Sequence, residues 1–265
     1  MKVIPETDIE SARRTQDILR ELNLYPLWQL RHPPVGTHEP HVTAEAPVAL
    51  LAPELKAEAA PVVETPEVGI AHLNWAQLKK RVKGCSACKL RTGCIQTVFG
   101  MGDENADWLF VGSWPTEDDE AKGEPFAGPA GQLLDNMLAA IKLKRGDNVY
   151  LANVVKCSGS IVRGPQADEI AQCAPYLARQ IHLIQPKIIV ALGHAAATAL
   201  LGADKEWSSL LGIVHGYTAH AKDASTRTIP LIITHHPAAL LLTPLNKAQT
   251  WRDLCLARDT MQAGN

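Results

Sequence analysis

Residues 106–128, ADWLFVGSWPTEDDEAKGEPFAG, decide the fold of this chain. Residues 108–111 are all apolar, the run ends at Gly112, and an acidic loop punctuated by glycine follows. A short run that is apolar at every position is typical of a strand buried on both faces of a parallel sheet. In such sheets ligands bind at the carboxyl ends of the strands. Ser113 therefore stands where a functional side chain is expected.

Three later segments repeat this pattern, and helical patterns alternate with them. The apolar runs are NVYLANVV (148–155), PKIIVALG (186–193) and PLIITHH (230–236). Strands that alternate with helices indicate βαβ units. The sequence therefore predicts an α/β fold with three α/β/α layers and a mostly parallel, four-stranded central sheet. Asn153, Gly193 and His235/His236 follow predicted strand ends, as Gly112 does.

Three regions are predicted along the 265 residues. Residues 1–32 contain a helical pattern at 6–24, followed by a tryptophan and leucines beside arginine. This pattern fits a helix packed on its own domain or a partner-docking peptide with Trp and Leu as anchors, and we favour the peptide. Residues 33–70 are rich in proline, alanine and glutamate and predict a disordered linker. Residues 71–265 form the folded domain. No apolar run approaches the ~18 residues that span a bilayer, and residues 1–14 lack the apolar region of a signal peptide, so we expect a cytoplasmic protein.

The six cysteines favour a metal or redox site over disulfides. Cys85 and Cys88 form a C-x2-C pair, Cys157 follows a predicted strand, and Cys173 lies on a predicted helix. Four thiolates suit zinc or an iron–sulfur cluster. From spacing alone, Cys94 offers a competing third ligand, and Cys157 and Cys173 fit equally well as small buried side chains.

A resemblance to a known family indicates which of these cysteines would bind a metal or cluster. The segments CSACKL, VFGMG, GEPFAGPAGQLLD, NVVKC and HPAALL occur in the order seen in iron–sulfur uracil-DNA glycosylases, and the chain resembles family 4 most closely over residues 85–254. The resemblance implies a 4Fe–4S cluster held by Cys85, Cys88, Cys157 and Cys173, with Cys94 outside the ligand set.

The same resemblance implies a base pocket. Phe126 corresponds to the residue that stacks on uracil, Asn153 to the one that pairs with its edge, and His236 to the one beside the departing oxygen. Each also fits a structural role, as a core aromatic, a polar strand-end residue and a buried histidine. We expect this pocket to be a vestige, for the following reason.

The family's catalytic acid lies in a Gly-Glu-x-Pro-Gly motif, and Ser113 occupies the acid's position here. A hydroxyl cannot supply the charge that stabilises a sugar cation. Acids follow at residues 117–120, but the family carries acids there too, so we interpret them as solvated loop residues. Leu242 stands where the family has an arginine, which removes a phosphate contact.

Residues 13–33, RRTQDILRELNLYPLWQLRHP, resemble the clamp-loader-binding peptide of the psi subunit of bacterial DNA polymerase III. The matching positions that would contact the partner are Leu19, Leu22, Leu24, Trp28, Leu30 and Arg31. The psi fold is itself similar to a glycosylase domain without the activity. The resemblance implies that residues 1–32 bind clamp-loader ATPase subunits and that the folded domain binds the chi subunit, which contacts single-stranded DNA-binding protein.

Our leading hypothesis from the sequence is therefore a non-catalytic, psi-like replisome subunit with weak or indirect nucleic-acid contact and no membrane contact. The alternative is an iron–sulfur uracil-DNA glycosylase that removes uracil in base excision repair. A DNA-binding module that senses lesions without cutting is the third possibility.

Overall fold

The computed structural model describes residues 67–158, 164–202, 205–220 and 226–264. The first described element, α1 (Glu67–Ile70), is helical, and Ile70 is buried. The end of the segment predicted as a linker therefore belongs to the folded part. The predicted docking peptide lies outside the described residues, so the partner contacts of Leu19, Leu22, Leu24, Trp28, Leu30 and Arg31 stay predictions.

The sheet has six strands in the order β1-β3-β2-β4-β6-β5. The strands are β1 (Met101–Gly102), β2 (Trp108–Gly112), β3 (Val149–Asn153), β4 (Ile188–Leu192), β5 (Val214–His220) and β6 (Thr226–Thr234). The predicted parallel strands β2, β3, β4 and β6 form its centre, while β1 and β5 pair antiparallel at the two edges.

The prediction of a four-stranded sheet was therefore wrong, because it missed both edge strands. β1 has only two residues, too few for any periodic pattern. β5 reads VHGYTAH, which mixes polar residues with a central glycine and lacks the apolar run of the inner strands. An edge strand is covered on fewer sides than a central one, so its sequence is less constrained by burial.

Helices cover both faces of the sheet and complete three layers. They are α2 (Trp75–Lys83), α3 (Glu117–Lys122), α4 (Pro129–Ala140), α5 (Ala167–Ile184), α6 (His194–Leu201), α7 (Pro237–Leu242) and α8 (Lys247–Ala263). Leu109 and Val111 pack on one face with α2, α5 and α6, whereas Trp108 and Phe110 pack on the other with α4, α7 and α8. The prediction of an α/β/α architecture is confirmed. None of the described helices is long and apolar enough to cross a membrane.

The parallel register aligns the carboxyl ends of the central strands. Gly112 at the end of β2 pairs with Asn153 at the end of β3, and Leu192 of β4 pairs with Thr234 of β6. Ser113, Gly193 and His235 follow directly. The predicted strand-end residues therefore meet at one edge of the sheet.

Candidate active site

The structure brings the predicted pocket residues together around Gly112. A Cβ atom at Gly112 would collide with Oδ1 of Asn153 and with the tip of the Phe126 ring, so only glycine fits here. The rings of Phe126 and His236 lie 5.7 Å apart, centroid to centroid. Ser113 follows Gly112 and is buried. Four chain segments thus supply one compact cluster of side chains.

Asn153 is the most unusual member of this cluster. Its side chain is 2% exposed, and neither Oδ1 nor Nδ2 has a hydrogen-bond partner among the described residues. Leaving a buried amide unpaired costs about 1–3 kcal/mol, which proteins normally avoid. The amide is therefore an unused donor and acceptor enclosed in the site. Because it is enclosed, a ligand reaches it only after a neighbouring side chain moves.

Lys156 fixes the backbone beside Asn153, a role that the sequence did not reveal. Its buried Nζ donates to the backbone oxygen of Asn153 at 2.8 Å and to Oε1 of Gln180 at 2.7 Å. Burial lowers the pKa of Lys156 to about 8. No pattern could have predicted this contact, because Lys156 and Gln180 lie on different elements.

His236 is held as a neutral imidazole. Its Nδ1 accepts a hydrogen bond from the backbone N–H of Ala238 at 3.2 Å, so the ring proton lies on Nε2. Burial lowers the pKa of His236 to about 4, although the nearby Asp119 carboxylate opposes that shift. At neutral pH the ring therefore offers one N–H donor.

The acids at 117–120 are not all solvated, so that interpretation was wrong for two of them. They form helix α3, and Asp119 and Glu120 are 3% and 1% exposed. Oδ2 of Asp119 accepts the N–H of Thr116 at 3.0 Å, and its Oδ1 accepts the N–H of Ala127 at 2.6 Å. The spacing of Thr116 and Asp119 is that of a capping box, which is the one signal in the sequence that could have revealed this helix.

Glu120 joins the pocket loop to the cysteine region. Its Oε2 accepts the N–H of Ile95 at 2.9 Å, and its Oε1 accepts the N–H of Ser158 at 2.6 Å. Burial by itself would raise the pKa of Glu120, but hydrogen bonds from Ser158, Cys94 and Ile95 lower it below its usual value. Both buried acids thus accept backbone N–H groups and hold neighbouring segments together.

The four predicted cysteine ligands surround one small cavity. Cys85, Cys88, Cys157 and Cys173 all line it, together with apolar residues, Thr97, Tyr176 and the basic residues Arg91 and Lys156. All are free thiols. Cys94 is not among the lining residues, but its thiol is hydrogen-bonded to Glu120 and to the Cys157 thiol, so its place outside the ligand set stays a prediction.

Burial makes three of the cysteine thiols harder to deprotonate. It raises the pKa of Cys173 to about 11 and also raises the pKa values of Cys88 and Cys157. Within the described ranges, no three His, Cys, Asp or Glu side chains lie close enough to share one metal ion. An iron–sulfur cluster does not require that, because its thiolates bind different iron atoms around a cage. The donor set therefore fits a cluster better than a single ion.

Comparison with known proteins gives one consistent result. Residues 99–257 match the uracil DNA glycosylase superfamily. A type-4 uracil-DNA glycosylase of Archaeoglobus fulgidus is 38% identical over 166 residues, which are 62% of this chain and 82% of the relative. The type-4 enzyme of Pyrobaculum aerophilum is 35% identical over 180 residues, which are 68% of this chain and 91% of the relative.

These relatives overturn the leading hypothesis from the sequence. A psi-like replisome subunit is the wrong interpretation, since the relatives that match over most of their own length are type-4 uracil-DNA glycosylases, including a third from Sulfurisphaera tokodaii at 39% identity over 63% of this chain and 76% of the relative. The hypothesis gave the missing acid at Ser113 too much weight, whereas the remaining pocket residues are assembled.

Proposed function

Because the chain belongs to the uracil-DNA glycosylase superfamily, we propose that it removes uracil from DNA. The reaction hydrolyses the N-glycosidic bond: the hydroxyl of water adds to C1′ of the deoxyribose, and its proton balances the departing uracil anion. The observation that carries the proposal is the buried, unpaired amide of Asn153. It is the group that an extruded base needs at the bottom of a pocket.

Asn153 and Phe126 supply recognition of the base. A carboxamide presents one donor and one acceptor side by side, which complements the N3–H and the neighbouring carbonyl oxygen of uracil. The Phe126 ring lies next to this amide and offers an apolar face on which a base can stack. Binding the base would also satisfy the unpaired amide, so free energy lost in the empty protein is recovered in the complex.

His236 supplies stabilisation of the leaving group. As the C–N bond breaks, negative charge develops on the uracil oxygens. The Nε2–H of neutral His236 is a donor whose direction is fixed by the bond of Nδ1 to Ala238. A preorganised donor in an enclosed site stabilises such a charge much more than it would in water.

Ser113 limits the rate. Its hydroxyl can orient the attacking water, but it brings no negative charge to the sugar cation. We assign Asp119 no such role, because both of its carboxylate oxygens hold backbone N–H groups of the loop. We therefore expect excision by this protein to be slow.

Cys85, Cys88, Cys157 and Cys173 would hold a 4Fe–4S cluster. When bound, it would cross-link the segment after α2, the segment after β3 and helix α5, which supply the cysteines. The cavity that they share, together with their chemistry, supports this assignment.

An exposed apolar ridge follows His236 in the chain. Leu241, Leu242 and Leu245 are 45%, 86% and 90% exposed. Apolar side chains of this kind enter the base stack and favour extrusion of a nucleotide. Exposed apolar side chains that follow His236 in the chain therefore suit an enzyme that must take uracil out of a duplex.

Single-turnover excision on single-stranded and duplex oligonucleotides that contain one uracil tests the proposal. We expect an alkali-sensitive abasic product with the wild-type chain and none with Asn153→Ala. Leu242→Ala should slow excision from the duplex more than from the single strand. If iron-loaded wild-type protein forms no product on either substrate, the proposed activity is wrong.

The neutral Ser113 favours a second function, which is to bind uracil in DNA without removing it. Binding measured on the same oligonucleotides distinguishes this function from excision. A protein that binds uracil-containing DNA more tightly than the matching thymine-containing DNA, without product, would be a uracil sensor. Ser113→Glu should then create excision, because only the charge would be lacking.

A further inference from the structure

The backbone of Phe126 adopts a conformation that an aromatic residue rarely takes. Its φ is 57°, in the left-handed region. For a non-glycine residue this conformation costs on the order of 1 kcal/mol and needs support from its surroundings. The support must act on the two peptide groups that flank Phe126, since these set its φ and ψ.

Arg145 supports the carbonyl side. Its Nη1 donates to the backbone oxygen of Pro125 at 2.9 Å, and its Nη2 donates to the backbone oxygen of Phe126 at 3.1 Å. Its Nε is bonded to Asp135 at 2.8 Å, which holds the guanidinium in place. The planar, forked shape of arginine suits two neighbouring carbonyl groups, and an ammonium group does not reproduce it.

Asp119 supports the amide side. The N–H of Ala127, which belongs to the same peptide group as the Phe126 oxygen, donates to Oδ1 of Asp119 at 2.6 Å. Oδ2 of Asp119 accepts the N–H of Thr116, so the carboxylate is itself anchored to the start of α3. The Phe126–Ala127 peptide group is thus held at both ends by groups of opposite charge.

We propose that Asp119 and Arg145 are positioning residues for base binding, which act by fixing the backbone from which the Phe126 ring reaches Asn153. The effect on base binding rests on the proposed function, whereas the support of the Phe126 backbone does not depend on it. Because the peptide group is fixed, a base gains access to Asn153 by rotation of the Phe126 ring and not by movement of the loop backbone. The two residues reduce the conformational freedom that base binding would otherwise have to remove.

Fluorine NMR tests the structural part directly. The chain has three phenylalanines, so protein labelled with fluorophenylalanine gives three resonances, and Phe126→Leu assigns one of them. We expect Asp119→Asn and Arg145→Lys to shift and broaden the Phe126 resonance. The other two resonances should stay unchanged and thereby report that the fold is intact.

Matched controls use neighbouring exposed charges. Glu117→Gln lies on the same helix as Asp119, and Lys144→Met precedes Arg145; both side chains are exposed. Neither control should move the Phe126 resonance. An unchanged Phe126 resonance in both Asp119→Asn and Arg145→Lys would overturn the inference. Should Asp119→Asn fail to fold, Arg145→Lys, which keeps the positive charge, decides the question.

Kinetics test the functional part. Asp119→Asn should lower kcat/KM for uracil excision by about ten-fold or more, since small misplacements of binding groups have effects of that size. In a Phe126→Ala background the same substitution should change kcat/KM by less than about two-fold, because the ring to be positioned is gone. Equal effects in the two backgrounds would overturn the positioning role. If wild-type protein lacks excision, the proposed function fails, while the NMR result still decides whether the two residues fix the backbone of Phe126.

Discussion

Asn153→Ala should separate stability from function. A buried polar group is normally paired, so its removal destabilises the protein. Asn153 is unpaired at both ends, so its removal relieves a penalty of about 1–3 kcal/mol. Loss of the side chain's packing costs about 1–2 kcal/mol in return. The free energy of unfolding should therefore change by less than about 1 kcal/mol, or rise, while uracil excision is lost.

Thr234→Ala is the matched control. Thr234 also ends a central strand and is fully buried, but its hydroxyl donates to Oδ2 of Asp253 at 2.8 Å. Its removal should lower the free energy of unfolding by about 1–3 kcal/mol, because a buried carboxylate loses a partner. Urea unfolding of protein with equal iron content measures both. If Asn153→Ala destabilises the protein as much as Thr234→Ala does, the amide is paired in the free protein and our reasoning about base recognition is refuted.

Three further predictions concern the acid, the cysteines and the histidine. Ser113→Glu should raise the single-turnover excision rate by about ten-fold or more, whereas the uncharged Ser113→Gln should not; equal rates would show that the position does not face the sugar. Cys173→Ser should lose bound iron and sulfide and the visible absorbance, while Cys255→Ser, outside the cavity, keeps them; retention of iron by Cys173→Ser would contradict the assignment. Burial lowers the pKa of His236 to about 4 in the folded protein. The unfolded chain therefore binds a proton on His236 more readily than the folded one. As a result, the free energy of unfolding should fall as the pH is lowered from ~6.5 toward 4. The loss of at most about 3 kcal/mol should be absent in His236→Asn. Urea unfolding of both proteins, measured as a function of pH, tests this. Identical pH dependence in the two proteins would show that the folded protein does not perturb His236.

Much of the architecture could be predicted because buried strands and helices have recognisable apolar patterns in the sequence. Strands β2 and β4 are buried at every position and carry no polar side chain, because helices cover both faces of the sheet. Helix α6 ends before Gly202, whose φ of 67° suits glycine. The two edge strands lack such an apolar pattern. β5 carries polar residues because it is covered on fewer sides, and β1 is too short to have a pattern.

The candidate site, too, could be predicted only in part from the sequence. The sequence by itself determined the types of residue: a C-x2-C pair, strand-end polar groups, and a serine at the position for which the resemblance implies an acid. Only the tertiary structure decided which of them meet around Gly112, and that Asp119 and Glu120 are buried anchors and not solvated acids. The physical reason is that hydrogen bonds such as those from Ala127 to Asp119 and from Arg145 to Phe126 join segments across loops. No periodicity along the chain records such contacts, because they depend on where the folded backbone brings each N–H and C=O group.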